Sequence, residues 1–243
     1  MAINVNTVYQ TVLMILNKEQ RGYMTPTEFN KVSTQVQLEI FEKYFDDLNQ
    51  QLRIPQADTD YADRQENIDE KIAIFKTFGT ATYNNSTLPQ TPFFTLPTSD
   101  AYGETVSFYR LGNVLYNMDK FVQRLDRHDF YYVDRSRITR PTKINPIYLY
   151  ENHKIFVKPD DITSDIQVDY VRKPKNVNWA FNVGSLGQYE WDQIDSVDFE
   201  LHESEQPEVV LKILLYAGII IKDPQVVQAA AAQVQADEIN KKS

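Results

Sequence analysis

The chain has 243 residues, 42% apolar and 24% charged, with 34 acidic side chains against 25 basic ones and a net charge of −9. That is material for one or two domains with a real core, which excludes intrinsic disorder as the default state. The absence of cysteine excludes disulfides, thiolate metal sites and cysteine nucleophiles, and leaves His128, His153 and His202 as the only imidazoles.

The first six residues carry no basic flank leading into an apolar segment, so no secretory signal is expected and the protein is expected to be made and kept, or assembled, in cytoplasm. Apolar residues at 5, 8, 12, 13, 15 and 16 predict a first helix. Thr25-Pro26-Thr27-Glu28 then places a hydroxyl at an N-cap, proline at the first helical position and a carboxylate three residues after the cap, which is a capping box. From there Phe29, Val32, Val36, Ile40, Tyr44, Leu48 and Leu52 recur every three or four residues until Pro55, predicting one long helix. A shorter third helix is predicted to carry Ile68, Ile72, Phe75 and Phe78.

Around residues 84–97 Asn, Ser, Thr and Pro cluster and the apolar period shortens, which marks a domain boundary. Strands are predicted at 105–111, 113–117, 120–124, 147–151, 154–158 and 165–172, with hairpin punctuation at Leu111-Gly112-Asn113 and Glu151-Asn152-His153. Short connections imply antiparallel pairing. Residues 174–187 read as a loop-rich excursion before helix returns at 205–221 with an almost continuous apolar surface. Its longest apolar run, 213–221, falls short of the ~18–20 residues that cross a bilayer, so no membrane partner is expected. Asp223-Pro224 opens a last helix over 225–240 in which Val226, Val227, Val234 and Ile239 are the only large apolar residues. So thin a stripe suits a helix whose partner lies on another subunit.

The expected fold is therefore α+β: a helical bundle formed by residues 1–90 and 187–243, with an antiparallel sandwich or barrel-like insertion at 91–186. Charge follows the same division, at −4, +2 and −7 for residues 1–90, 91–186 and 187–243.

Few chemistries find their residues here. No phosphate-cradling glycine loop, HExxH or paired-histidine pattern occurs, so neither cofactor nor metal is expected. Asp58, Asp60 and Asp63 lack the glycine and terminal glutamate of a calcium loop and read as a solvated acidic stretch. His128 beside Asp129 suggests a general base, but no nucleophile or oxyanion device can be assigned around them, and His153 and His202 read as surface or capping groups. No catalysis is expected. The segment 120–143 is more informative: Lys120, Arg124, Arg127, Arg135, Arg137, Arg140 and Lys143 outnumber three acids and interleave with Phe130, Tyr131 and Tyr132. Such a patch suits phosphate, an acidic partner or the acidic part of a neighbouring copy, with an ordinary solvated surface as the plain alternative.

The order of helical start, β insertion and helical end, together with residues 22–30 (GYMTPTEFN), Arg140-Pro141-Thr142, residues 154–159 (KIFVKP), residues 169–174 (DYVRKP) and the stretch 210–223, resembles the ring or adaptor proteins of short-tailed bacteriophages, most closely those of crAss-like phages. The resemblance implies a virion structural protein, assembled in the host cytoplasm into a ring of roughly twelve copies between portal and tail, through which DNA passes without sequence-specific contact. Implied partners are further copies, the portal protein and other ring or tail proteins. Arg124, Arg127, Arg135, Arg137, Arg140 and Lys143 are then candidate contacts to a neighbouring subunit or DNA, and Val226, Val227, Val234 and Ile239 candidate docking residues. The alternative is a soluble binding module or assembly chaperone that acts through the basic aromatic segment.

Overall fold

In the computed structural model the described residues are 2–18, 23–51, 60–85, 92–99, 103, 105, 107–221, 228 and 231–236, of which 18, 50, 51, 60–65 and 219–221 are described in backbone only. In chain order the elements are α1 (Val5–Lys18), α2 (Pro26–Gln51), α3 (Asp60–Ala73), β1 (Lys76–Thr80), β2 (Thr82–Asn84), β3 (Phe93–Thr95), β4 (Ser107–Tyr116), β5 (Lys120–Phe121), β6 (Gln123–Arg124), α4 (Arg127–Arg135), β7 (Ile147–Glu151), β8 (Lys154–Lys158), β9 (Ile166–Lys173), β10 (Asn178–Val183), β11 (Tyr189–Val197) and α5 (Gln206–Ile221), with a 3-10 turn at Glu203–Glu205 before α5. The chain is α+β. It divides into two compact units, one built from Met1–Ile74 with Pro174–Ser243 and the other from Phe75–Lys173.

The discontinuous unit joins its first and last segments near residues 3–5 and 198–199. Asn4 caps α1, its Oδ1 accepting from the Thr7 N–H at 3.0 Å, and Asp198 Oδ1 accepts from the Val5 N–H at 2.8 Å. An antiparallel bridge between Ile3 and Phe199, both buried, completes the joint. The capping box forms at the start of α2: Glu28 N–H donates to Thr25 Oγ1 at 3.3 Å, and Glu28 Oε2 accepts from the Thr25 N–H at 2.9 Å and its hydroxyl at 2.7 Å. Those bonds favour the ionised form and hold the Glu28 carboxyl below its ordinary range. Behind the cap, Phe29, Val36, Ile40, Phe41, Tyr44 and Phe45 bury one side of α2. α5 packs against α1 and α2 through Val209, Ile213, Leu214 and Ala217, and each such aliphatic side chain contributes roughly 1.5–3 kcal/mol before entropy is charged.

A second face of α2 is polar and equally ordered. Asn30 Oδ1 accepts from the Trp179 N–H at 2.7 Å while its Nδ2 donates to the Trp179 carbonyl at 3.2 Å; Gln37 Nε2 donates to the Lys175 carbonyl at 2.7 Å and its Oε1 accepts from the Glu200 N–H at 2.9 Å. Asn30 and Gln37 lie seven apart, on the same side of a 3.6-residue helix, so they stitch α2 to the backbone around β10. Charge also joins the ends: buried Glu205 pairs with Lys71 of α3, and Glu208 with Lys43 of α2 at 3.2 Å. Burial and those two carboxylates push the Tyr44 hydroxyl above its ordinary range.

In the unit Phe75–Lys173, one sheet has the order β1-β9-β4-β5 and another β2-β3-β8-β7-β6. Alternation along the strands puts Val114, Ile166, Val168 and Tyr170 from the first and Phe94, Tyr148, Ile155 and Val157 from the second into a single apolar cluster. The alternate residues Ile147 and Leu149 face the other way, where Phe130 of α4 covers them with Val133, Leu125 and Phe156.

Several elements differ from the sequence reading. Phe75 is buried but not helical, and Phe78 lies half exposed in β1, because pairing of Lys76–Thr80 with β9 overrides the helical spacing. The β-rich unit begins at Phe75 and ends at Lys173, whereas 91–186 was the expected range. Leu111-Gly112-Asn113 is no turn: β4 continues through it with register shifts against β9, and a Cβ on Gly112 would stand 2.9 Å from the Asp169 carbonyl oxygen, so glycine permits a close strand approach. By contrast Asn152 and His153, at φ 50° and 56°, make the two-residue turn between β7 and β8. β6 pairs parallel with β7, not antiparallel, because α4 lies in the connection between them. Neither sheet order closes into a barrel. Residues 174–187 are not simply loop, since β10 lies there and packs with α1 and α2, and its hairpin partner β11 makes the start of 187–243 strand where helix is expected, because antiparallel pairing with β10 satisfies its backbone.

Candidate functional site

The basic segment is organised by one buried ring. Phe130 anchors α4 on β7, which leaves His128, Tyr131, Tyr132 and Arg135 outward, with His128 and Tyr132 stacked at 6.5 Å between centroids. α4 ends as Ser136 turns the chain: its Oγ accepts from the N–H groups of Ile138 and Thr139 at 3.3 and 3.1 Å. Pro141 and Pro146 are buried, and Thr142 Oγ1 accepts from the Asn145 N–H at 3.3 Å. The chain from 136 to 146 is thus pinned at intervals and presents what lies between.

What it presents is cationic and apolar together. Arg135, Arg137, Arg140 and Lys143 are exposed and make no ion pair among the described residues. Ile138 is 95% and Ile144 72% exposed. The other two candidates stand differently: Arg127 reaches Glu151 at 3.8 Å, and Arg124 lies over the Tyr150 ring at 6.0 Å. Asp134, the last acid of the segment, is taken up by Lys158 at 3.5 Å. The structure therefore groups Arg135, Arg137, Arg140 and Lys143 as the available cations and ties Arg124 and Arg127 to β7 neighbours.

A second surface, missed in the sequence, lies on the β10–β11 hairpin of the other unit. One side of it is held: Trp179 lies tilted against Tyr9 at 4.3 Å between centroids and donates from Nε1 to Asn6 Oδ1 at 3.1 Å, while Phe181 meets Tyr189 edge-on at 4.8 Å. Tyr9, Trp179 and Tyr189 border an open concavity of about 590 Å³ lined also by Gln10, Tyr23, Gln188 and Trp191. Burial and the neighbouring Tyr23 push the Tyr9 hydroxyl above its ordinary range. The rest of the hairpin is free of such cover: Leu186 at the tip is 92%, Ile194 93% and Val183 64% exposed. On the same strand as Ile194 stand Glu190, Asp192 and Asp195, and residues 178–197 contain no basic side chain. Asp192 accepts from the Ile194 N–H at 3.0 Å, which fixes the irregular end of β11 and turns Ile194 outward. The signal for this hairpin was present in the alternation Trp179-Ala180-Phe181-Asn182-Val183 followed by Gly184 and Gly187, the latter at φ 81°.

Among the remaining candidates, Val226, Val227 and Ile239 lie outside the described residues, and Val234 is half buried in a helical stretch at 231–236. Asp58 also lies outside them, and Asp60 and Asp63 are described only as backbone of α3. Among the described residues no group of three or more His, Asp and Glu could hold a metal ion. None of their helices is long and apolar enough to cross a membrane. His153 occupies the β7–β8 turn within 3.3 Å of the Tyr150 hydroxyl, and His202 caps the 3-10 turn by accepting from the Ser204 N–H at 3.2 Å. No protein-family model and no curated protein matches this chain.

Proposed function

We propose that the chain is a virion structural protein forming a ring of roughly twelve copies at the portal–tail junction of a short-tailed phage, with DNA passing through the lumen. The reading rests on the resemblance of the motifs around Thr25–Glu28, Arg140–Thr142, Lys154–Pro159 and Asp169–Pro174, and one observation carries it furthest. Both chain ends belong to a single unit, with the β-rich segment Phe75–Lys173 inserted between them, which is the organisation that the resemblance implies. In this reading the terminal helices act as one bundle, the inserted strands as a sandwich, and the last helix meets the portal or the next copy. Two differently charged, partly apolar surfaces suit a head-to-tail contact, which needs two unlike patches per copy. Light scattering and negative-stain imaging of the purified protein, alone and with a portal protein from the same genome, test it. Annular particles are expected; a monomer indifferent to the portal overturns the proposal.

A second reading is favoured by the unpaired cations beside exposed Tyr131 and Tyr132: a binding module or assembly chaperone for single-stranded nucleic acid or an acidic protein. Binding of a labelled single strand would then fall by at least about tenfold between roughly 50 and 200 mM salt and vanish in the triple variant Arg135→Gln, Arg137→Gln, Arg140→Gln. Binding that ignores both changes removes this reading.

A further inference from the structure

Resting on the ring reading, we propose that the contact between copies is made by the β10–β11 hairpin of one molecule seated on residues 135–144 of the next. Both surfaces keep large aliphatic side chains in water: Leu186 and Ile194 on the hairpin, Ile138 and Ile144 on the segment after α4, each at least 72% exposed. Single exposed hydrophobics are ordinary, but pairs of them set among charge of one sign mark a docking surface. The signs are opposite. Residues 178–197 hold three acids and no base, and residues 135–143 hold four bases and no acid.

Each surface is also shaped before it meets a partner. Ser136, Pro141 and the Thr142–Asn145 pair fix the basic segment, while Asn30 and the Trp179–Tyr9 contact hold the root of the hairpin. Little ordering entropy is then lost on docking. The hairpin is in addition a two-stranded sheet that, among the described residues, no third strand joins, and beyond Trp179, whose backbone Asn30 takes up, its far end is the kind of element that gains from cover. A second copy is the occupant that the charges select, because this same chain carries the complementary patch in equal number.

Charge exchange tests the pairing. The loop variant Arg137→Glu/Arg140→Glu and the hairpin variant Glu190→Arg/Asp195→Arg are each expected to raise the concentration for half-assembly by at least about tenfold, with circular dichroism unchanged. An equimolar mixture of the two should regain assembly, since the hairpin of each then meets an opposite charge on the other. A pairing within one molecule would show no such rescue. Because the chain has no cysteine, Leu186→Cys/Ile138→Cys offers a second measurement: a short thiol-reactive cross-linker should yield a ladder of covalent multimers. Wild type that forms rings while the variants do so equally well, or without a ladder, overturns this contact and leaves the ring standing. A reversal-and-rescue pattern that stops at a dimer keeps the contact and removes the ring. A wild type that stays monomeric at every concentration, with and without the portal protein, removes both.

Discussion

Gln37 is buried in the middle of a helix whose neighbouring positions are apolar, and its amide is used at both ends, toward the Lys175 carbonyl and the Glu200 N–H. Replacing it with leucine keeps the volume but leaves two backbone groups without their partner, at a cost of about 2–3 kcal/mol. The check is urea unfolding: the midpoint of Gln37→Leu should fall with little change in slope. Lys71 and Glu205 present the same logic with charge. Glu205 is nearly inaccessible, so Lys71→Met takes a cation away from a buried carboxylate and should destabilise by about 3 kcal/mol, whereas Lys71→Met/Glu205→Leu should recover much of that loss. A double variant no more stable than the single one would show that the ion pair is not what holds α3 to the turn before α5.

At the scale of elements, α4 is held by few contacts. It has nine residues, too short to persist alone, and Phe130 is its only buried side chain. Phe130→Ala removes the ring that lies on Ile147 and Leu149 and should cost about 3 kcal/mol. Hydrogen exchange should then speed up across α4 and the segment after it while β9 keeps its protection, because Ile166, Val168 and Tyr170 of that strand belong to the other apolar cluster. The same variant should weaken assembly, since the loop bearing Arg137 and Arg140 starts where α4 ends.

For the whole molecule, the division into two units with separate apolar clusters predicts that heat absorption contains two transitions. Val168→Ala, in the cluster of Phe75–Lys173, should lower one of them by several degrees and Ile213→Ala, in α5, the other. A single transition moved alike by both substitutions would mean that the units unfold as one.

Read alone, the sequence determined the elements that local chemistry dictates. The capping box of α2, the helical stripe behind it, the apolar α5 and the Asn152–His153 turn are written in spacings of two to four residues, over which side chains act on their own backbone. The cluster of basic residues was equally legible, though not which of them would be free: Arg127 and Arg124 are engaged by Glu151 and Tyr150, residues that pairing of distant strands places beside them. Tertiary structure decided the rest. Phe78 became strand because β9 offered Lys76–Thr80 a partner, Gly112 proved to allow a close approach instead of a turn, and the hairpin at β10–β11 stands because Asn30, about 150 positions away in the chain, holds its backbone. Hydrogen bonds between remote segments have no period in the sequence, so only the folded chain reveals which surfaces they satisfy and which they leave for a partner.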